Sequence, residues 1–371
     1  SSGEFEIFPL GDPRCSNRSS QDGVVFDTGY GTCIAEDGNG VERYNLWGLT
    51  EKRGKIERQN LLVFINSELS NGVETFTEIG YYTSDSERRN HPSYAFTSSK
   101  HRVGPDNYWL NQMTTPDGTA IFAGKELYID NYRYAEVPRM TFVDKETYRF
   151  LQGFRGTTGN WDWETALVYS KATSDDLTKN RISNTLLKEA LYDDTPAAYN
   201  PFSAGVASNI ERVLVDVTRF GTSSLTSFDF KMVNPHMFTL PAGPVAVLLG
   251  FEVRDEVITD NRDDRLDGTI DYCDYENDCY PLVADVLNSS PTGDVSGEKQ
   301  TTSLFVELNA PITDSISTQL AVRHESSDDF ASATVGKFAI GWEVNPSLSL
   351  RASASTAFRA PSSAPATASD P

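Results

Sequence analysis

The chain has 371 residues, a formal net charge of -21 and a hydrophobic content of 38%. This charge excludes a nucleic-acid partner, because an acidic surface repels phosphates. The sequence contains no run approaching the roughly 18 consecutive apolar residues of a membrane-spanning helix, so a helical membrane protein is excluded as well. A β-barrel stays compatible with the composition, because its strands are apolar on one face only.

Four cysteines form two local pairs, Cys15 with Cys33 and Cys273 with Cys279. Neither spacing is typical of a zinc site. Local pairs with loop-type residues between them favour disulfides in an oxidising compartment, which includes the periplasm and the cell surface. No signal peptide is recognised, and we expect the chain from Ser1 to be a mature or trimmed product.

In chain order, five segments predict β-hairpins in which apolar and polar side chains alternate. In one of them, Leu304, Val306 and Leu308 share one face, while Phe305 and Glu307 share the other. About ten strands are therefore predicted. The five turns are predicted at Ser70-Asn71-Gly72, Thr158-Gly159-Asn160, Pro241-Ala242-Gly243, Thr313-Asp314 and Asn345-Pro346-Ser347.

Long polar connections separate the hairpins at about 87–136, 174–222 and 260–298. A compact soluble domain rarely carries several loops of this length. Short turns at one end and long loops at the other are typical of outer-membrane barrels. The predicted fold class is therefore all-β, part of a transmembrane antiparallel β-barrel with long extracellular loops and short periplasmic turns. The alternative is a soluble β-sandwich or β-propeller, whose strands also alternate.

The barrel interpretation assigns a role to each face of the strands. The polar face is expected to line a lumen in which opposite charges on neighbouring strands pair, and the apolar face to contact outer-membrane lipid. Aromatic residues near the hairpin ends are expected to form interfacial girdles. The expected lumen residues are Glu307, Arg323, Glu343, Arg351 and Arg359, and the expected girdle residues are Tyr81, Trp161, Trp163, Trp342 and Phe358.

No catalytic constellation is found in the sequence. The histidines, His91, His101, His236 and His324, are scattered and belong to no HExxH or triad-like arrangement. Nucleophile-elbow, P-loop and dinucleotide-binding signatures are also missing. We therefore expect no enzymatic activity.

Three segments carry a resemblance to a known family. LSLRASASTAFRAPS, at 348–362, resembles the strand with the FRAP signature in TonB-dependent outer-membrane receptors, here Phe358, Arg359, Ala360 and Pro361. TTSLFVELNAPITDSISTQLAVRHE, at 301–325, resembles the strand, turn and strand that precede it, and IERQNLLVFINSELSNGVETFTEIGYYTSD, at 56–85, is similar to an early barrel hairpin of the family.

The resemblance implies a barrel of about 22 strands closed by an N-terminal plug. It also implies TonB-coupled import of a scarce nutrient across a Gram-negative outer membrane, with a ferric siderophore as the default substrate and the TonB–ExbB–ExbD complex as energy-coupling partner. The chain departs from this plan, because no plug, TonB box or terminal strand is recognised. We expect 1–361 to be part of such a barrel and 362–371 to be an irregular tail. The alternatives are a surface structural or adhesive barrel and a passive porin.

Two sets of candidate site residues follow. The acidic loop contains Asp263, Asp267, Asp271 and Asp274, which can offer oxygen ligands to calcium. Its likeness to an EF-hand fails, because Arg265 stands where an oxygen ligand is needed, so a solvated loop pinned by Cys273 and Cys279 is the alternative. The residues that can stack on a flat ligand are Tyr94, Tyr108, Trp109, Tyr128, Tyr132 and Tyr134, and the alternative is that they pack within their own loop.

Overall fold

The fold was analysed in a computed structural model, which describes residues 5–16, 25–36, 46–95, 101–114, 118–122, 124–129, 132–328 and 332–359. Its strands, in chain order, are β1 (Phe5–Pro9), β2 (Val25–Asp27), β3 (Thr32–Glu36), β4 (Lys55–Glu68), β5 (Glu74–Asn90), β6 (His101–Val103), β7 (Leu127–Ile129), β8 (Arg139–Thr158), β9 (Trp161–Ile182), β10 (Leu214–Leu240), β11 (Gly243–Arg262), β12 (Asp271–Cys273), β13 (Cys279–Ala284), β14 (Val295–Thr313), β15 (Ile316–Ser327), β16 (Ala333–Asn345) and β17 (Leu348–Ser355). The helices are α1 (Pro13–Ser16), α2 (Tyr108–Asn111), α3 (Asn184–Leu191) and α4 (Asp264–Asp267), with 3-10 turns at Leu46–Gly48 and Ile210–Val213.

Ten strands form one antiparallel sheet in the order β17-β16-β15-β14-β11-β10-β9-β8-β5-β4. Each of the five predicted turns lies between two paired strands of this sheet, so the predicted hairpins and the all-β fold class are confirmed. Among the described residues, no helix is long and apolar enough to cross a membrane.

The apolar residues of the sheet form a continuous belt on one face. Val306 lies opposite Leu249 on one neighbouring strand and Val322 on the other, and all three are exposed. The rings of Tyr81 and Tyr148 lie 5.1 Å apart on this face. A row of large exposed apolar side chains is stable only against hydrocarbon or another protein layer, and no described element covers it.

The opposite face carries ion pairs, as the sequence predicted. Arg155 pairs with Glu74 and Lys231 with Glu164, each at 2.6 Å. Arg323 reaches Glu252 at 3.2 Å and Glu325 at 2.7 Å, so one guanidinium joins carboxylates from two strands. Small residues between these side chains leave room for aromatic rings, because the ring of Phe305 lies where a Cβ on Gly250 would sit.

The strands are longer than the sequence indicated. The predicted connection at 174–222 is strand up to Ile182 and again from Leu214. β9 contains 22 residues and β10 contains 27, whereas about ten residues cross a membrane. The sheet therefore continues past the apolar belt at the end where the long connections lie, and the corrected loops span 91–138, 183–213 and 263–294.

Two predictions at the C-terminal end have different outcomes. β17 ends at Ser355, so Phe358 and Arg359 follow the strand instead of belonging to it, which corrects the longer strand expected there. Ala360, Pro361 and the expected tail at 362–371 lie outside the described residues.

Candidate functional site: the loop unit

The three long connections pack together with the N-terminal segment into one body. We call them loop 1 (residues 91–138), loop 2 (183–213) and loop 3 (263–294). The loop unit is the body that their described residues form with residues 5–16 and 25–36. Its hydrophobic core takes Ile34 from the N-terminal segment, Val103 from loop 1, Leu187 from loop 2 and Leu287 from loop 3. The long connections are therefore not independent polar loops.

The N-terminal segment reaches the sheet from the same side as the loops. β4 runs from Lys55 to the short turn at 69–73, so the residues before Lys55 lie at the opposite end of the strand from that turn. Its sheet, in the order β1-β3-β2, rests on loop 2, where the Thr32 hydroxyl donates to the carbonyl of Phe202. The ring of Tyr30 meets Trp109 edge-on at 5.2 Å.

Asp285 is the polar centre that joins loop 2 to loop 3. Its carboxylate is fully buried and accepts hydrogen bonds from the Ser183 hydroxyl at 2.8 Å and the Thr185 backbone N–H at 2.9 Å. Arg265 of α4 forms an ion pair with the same carboxylate. Ser183 also caps α3 by accepting from Leu186, so this helix begins where the two loops meet.

Loop 1 is held to loop 2 by hydrogen bonds to the end of α3. Gly104 N–H and the Asn107 side chain both donate to the carbonyl of Leu191, each at 3.0 Å. The Trp109 indole donates to the carbonyl of Ala198 at 2.8 Å. These bonds satisfy carbonyls that a helix end and its following turn leave open.

Of the predicted ligand-stacking residues, Tyr134 lies in this core and Tyr132 is partly buried against it. The Tyr132 hydroxyl lies 3.0 Å from that of Tyr199, which donates to Glu136 at 2.8 Å. Tyr134 is 2% exposed, and its ring packs on Tyr132 at 5.0 Å. Burial raises the pKa of all three tyrosines, so their hydroxyls stay protonated.

The other predicted aromatic residues are more accessible. Tyr108 and Trp109 are half-buried on α2, and Tyr94 is half-buried beside loop 3. Tyr128 is 58% exposed, with the Arg102 guanidinium 5.3 Å from its ring centre. Arg102 also pairs with Glu276 of loop 3 at 2.9 Å. A ligand-stacking role for these aromatic residues stays a prediction.

The predicted calcium ligands do not come together as one set. Asp263 caps α4, Asp267 accepts from Thr269, and Asp274 accepts from the N–H groups of Glu276 and Asp278. Within the described part of the chain, the group with metal-ligating spacing is Asp274, Glu276 and Asp278, which contains neither Asp263, Asp267 nor Asp271. Oxygen ligands of this kind suit calcium, but turn bonds and Arg102 already use part of the set.

Both predicted disulfides are present in the structure, Cys15 with Cys33 and Cys273 with Cys279. The first fastens α1 to β3, and the second closes the hairpin of β12 and β13. Both lie in the loop unit, at the end of the sheet away from the short turns.

A sheet with one apolar face, one ion-paired face, short turns and long connections is typical of a membrane β-barrel. A family model described as "TonB dependent receptor-like, beta-barrel" matches residues 75–370. The chain belongs to this family, which consists of receptors and not enzymes. No curated protein matches the sequence.

Several solved structures are similar to the chain at low sequence identity. The RagAB peptide transporter is 12% identical with a TM-score of 0.45, over 78% of this chain and 30% of that one. The siderophore receptor PirA from Acinetobacter baumannii is 14% identical with a TM-score of 0.45, over 83% and 34%. FpvAI in complex with pyocin S2 is 10% identical with a TM-score of 0.41, over 80% and 36%. The chain thus spans about a third of the length of these proteins.

Proposed function

We propose that the chain is part of an outer-membrane receptor that imports a scarce nutrient by TonB-coupled active transport, with a ferric siderophore as the default substrate. The observation that carries this proposal is the loop unit. A passive pore needs an open mouth, whereas a receptor needs a preformed surface that holds a dilute ligand. Four chain segments packed on one core supply such a surface above the sheet.

Energy coupling in this proposal passes through a plug domain and the TonB–ExbB–ExbD complex. The ion-paired face of the sheet supports a water-filled lumen, because charged side chains are stable in contact with water and are destabilised in hydrocarbon. The lipid-facing belt supports placement in the outer membrane of a Gram-negative bacterium.

Fractionation of cells that express the full gene tests the placement. We expect the protein in the outer membrane, with gel migration that changes on heating, because a closed barrel resists detergent until it is heated. A soluble product whose migration is insensitive to heat would contradict the barrel.

Growth on iron-limited medium tests the transport. We expect a strain that depends on this gene for a given ferric siderophore to stop growing when either the gene or TonB is deleted. Growth that survives loss of TonB would replace active import with passive permeation.

A further inference from the structure

Three arginines lie near one another where loops 1 and 3 contact the ends of β8 and β9. Arg133 lies in loop 1, Arg139 begins β8, and Arg181 precedes the end of β9. Arg139 is within electrostatic range of both Arg133 and Arg181. All three are half-buried, so water screens their mutual repulsion less than it would on an open surface.

None of the three forms an ion pair with a described carboxylate. By contrast, the arginines lower on the same wall do, as Arg155 pairs with Glu74 and Arg149 with Glu78. The chain carries 53 acidic residues against 32 basic ones, so carboxylate partners are abundant. Three half-buried cations without an acid partner among the described residues therefore need an explanation, because burying unpaired charge destabilises a fold.

The donors of these guanidinium groups are incompletely used. Arg133 Nη1 and Arg181 Nε are buried, and neither has a hydrogen-bond partner among the described residues. The ring of Tyr94 supports Arg133, whose Cζ lies 4.4 Å from the ring centre. Arg181 donates through Nη2 to Ser289 at 2.8 Å, and Arg139 donates through Nε to the carbonyl of His91 at 2.9 Å. Arg139 Nη2 also lies 3.3 Å from His91 Nδ1, and Arg181 Nη2 also donates to the carbonyl of Leu287 at 3.3 Å. The side chains are thus held in place, while Arg133 Nη1 and Arg181 Nε stay open within the described part of the chain.

The cluster faces the lumen side of the wall and not the lipid. Arg139 is an even number of residues away from Arg149 and Arg155 in β8, so its side chain points to the same ion-paired face as theirs. At Asn180 the backbone is left-handed (φ 60°), and one extra residue in β9 places Arg181 opposite Val215. Val215 is in phase with Lys231, whose partner Glu164 belongs to the ion-paired face.

We propose that Arg133, Arg139 and Arg181 form a binding site for an oxyanion, a phosphate or carboxylate group carried by a soluble ligand. Planar guanidinium groups match both oxyanions through paired N–H donors. A negative charge between them replaces repulsion with attraction and satisfies the open donors. The inference concerns the equilibrium binding of an anion and not transport. Phosphate binding can therefore be absent while TonB-coupled transport is observed, and phosphate binding can be present when transport does not depend on TonB.

The test is a titration of the full-length receptor in neutral detergent with inorganic phosphate, at constant ionic strength with chloride as the exchanged ion. We expect saturable binding by calorimetry and a rise in Tm with phosphate. Arg181→Gln and Arg139→Gln are each expected to weaken phosphate binding at least about tenfold, since each removes charge-assisted hydrogen bonds. The control is Arg219→Gln, whose guanidinium already binds both oxygens of Asp260, and its affinity is expected to stay within about twofold of wild type.

The phosphate dependence of Tm separates a ligand site from a structural role. Arg181→Gln relieves repulsion but also loses the bond to Ser289, so its Tm in chloride is not decisive. If the cluster binds an anion, phosphate raises the Tm of wild type more than that of Arg181→Gln. Unchanged phosphate affinity of this variant would overturn the proposal. Wild type without a saturable phosphate response would overturn it even if a variant fails to fold.

A second arm identifies the source of the anion. Phosphate affinity is measured in nanodiscs of zwitterionic lipid and in nanodiscs that also contain an anionic phospholipid. Equal affinities support a soluble ligand, because the cluster faces away from the lipid. Competition by the anionic lipid would contradict that assignment and place a headgroup phosphate in the site.

Discussion

The ten-stranded sheet and the loop unit differ in how they remove apolar side chains from water. In the sheet, large side chains such as Phe228 and Leu304 stay exposed on one face, and stability depends on a membrane. In the loop unit, Leu187 and Val103 are fully buried, as in a small soluble domain. The stability of the sheet therefore depends on lipid. The stability of the loop unit depends on its own core and on its attachment to the strand ends.

Removing a core side chain of the loop unit is expected to have the largest effect. Leu187→Ala deletes a buried side chain where all four segments meet, so it should destabilise the unit by about 2–5 kcal/mol. Amide hydrogen exchange is expected to accelerate in α3 and β6 while β14 and β15 stay protected. Leu282→Ala, at a 70% exposed position of loop 3, is the control and should change stability by less than about 0.5 kcal/mol. Equal loss of amide protection in the sheet and in the loop unit would contradict the claim that the two regions are stabilised separately.

A charge on the lipid face is expected to act on the sheet alone. Val322→Arg places a cation in the apolar belt and should cost about 2–4 kcal/mol of folding free energy in lipid vesicles. Ala321→Arg, one residue earlier, points to the ion-paired face between Glu307 on one strand and Lys337 on the other, and should cost less than about 1 kcal/mol. Denaturant titrations in vesicles measure both. Similar penalties for the two neighbours would show that the sheet does not separate lipid from water.

Acid is expected to affect the loop unit first. His101 is 5% exposed, packs on the ring of Tyr134, and burial lowers its pKa to about 4 from an ordinary value of 6.5. The unfolded state therefore binds a proton between these values when the folded state does not, so stability is complete above about pH 6.5 and falls as the pH drops towards 4. The loss is at most about 3 kcal/mol.

Hydrogen exchange of the loop unit at pH 7 and pH 5 measures this effect. After correction for the slower intrinsic exchange at pH 5, the expected result is lower protection factors for β6 and β7 at pH 5 than at pH 7, and a weaker pH dependence in His101→Gln. A variant with the same pH dependence as wild type would assign the acid sensitivity to another group.

The sheet was predictable because lipid imposes a period of two on each strand. Leu304, Val306 and Leu308 alternate with polar neighbours wherever one face meets hydrocarbon and the other water, and the turns interrupt that pattern. Above the belt both faces are wet, so the alternation disappears although the backbone pairing continues. For this reason 174–182 reads as a loop but forms the end of β9.

The loop unit was not predictable in the same way. Val103, Leu187 and Leu287 are far apart in sequence, and no periodicity marks them as one core. The arginine cluster depends on an extra residue at Asn180 that turns Arg181 towards Arg139, and a single sequence does not show where such a bulge falls. The two cysteine pairs were predictable, because each joins residues that are close in the chain.

Quencher accessibility along one strand tests the membrane assignment of the sheet most directly. Single cysteines at Leu304, Phe305, Val306 and Glu307 of β14 are labelled with a fluorophore in the full-length receptor in lipid vesicles. Labels at positions 304 and 306 should be quenched by a lipid-borne quencher, and labels at 305 and 307 should not. Equal quenching at all four positions, or quenching of neither row, would contradict a wall with hydrocarbon on one side and water on the other.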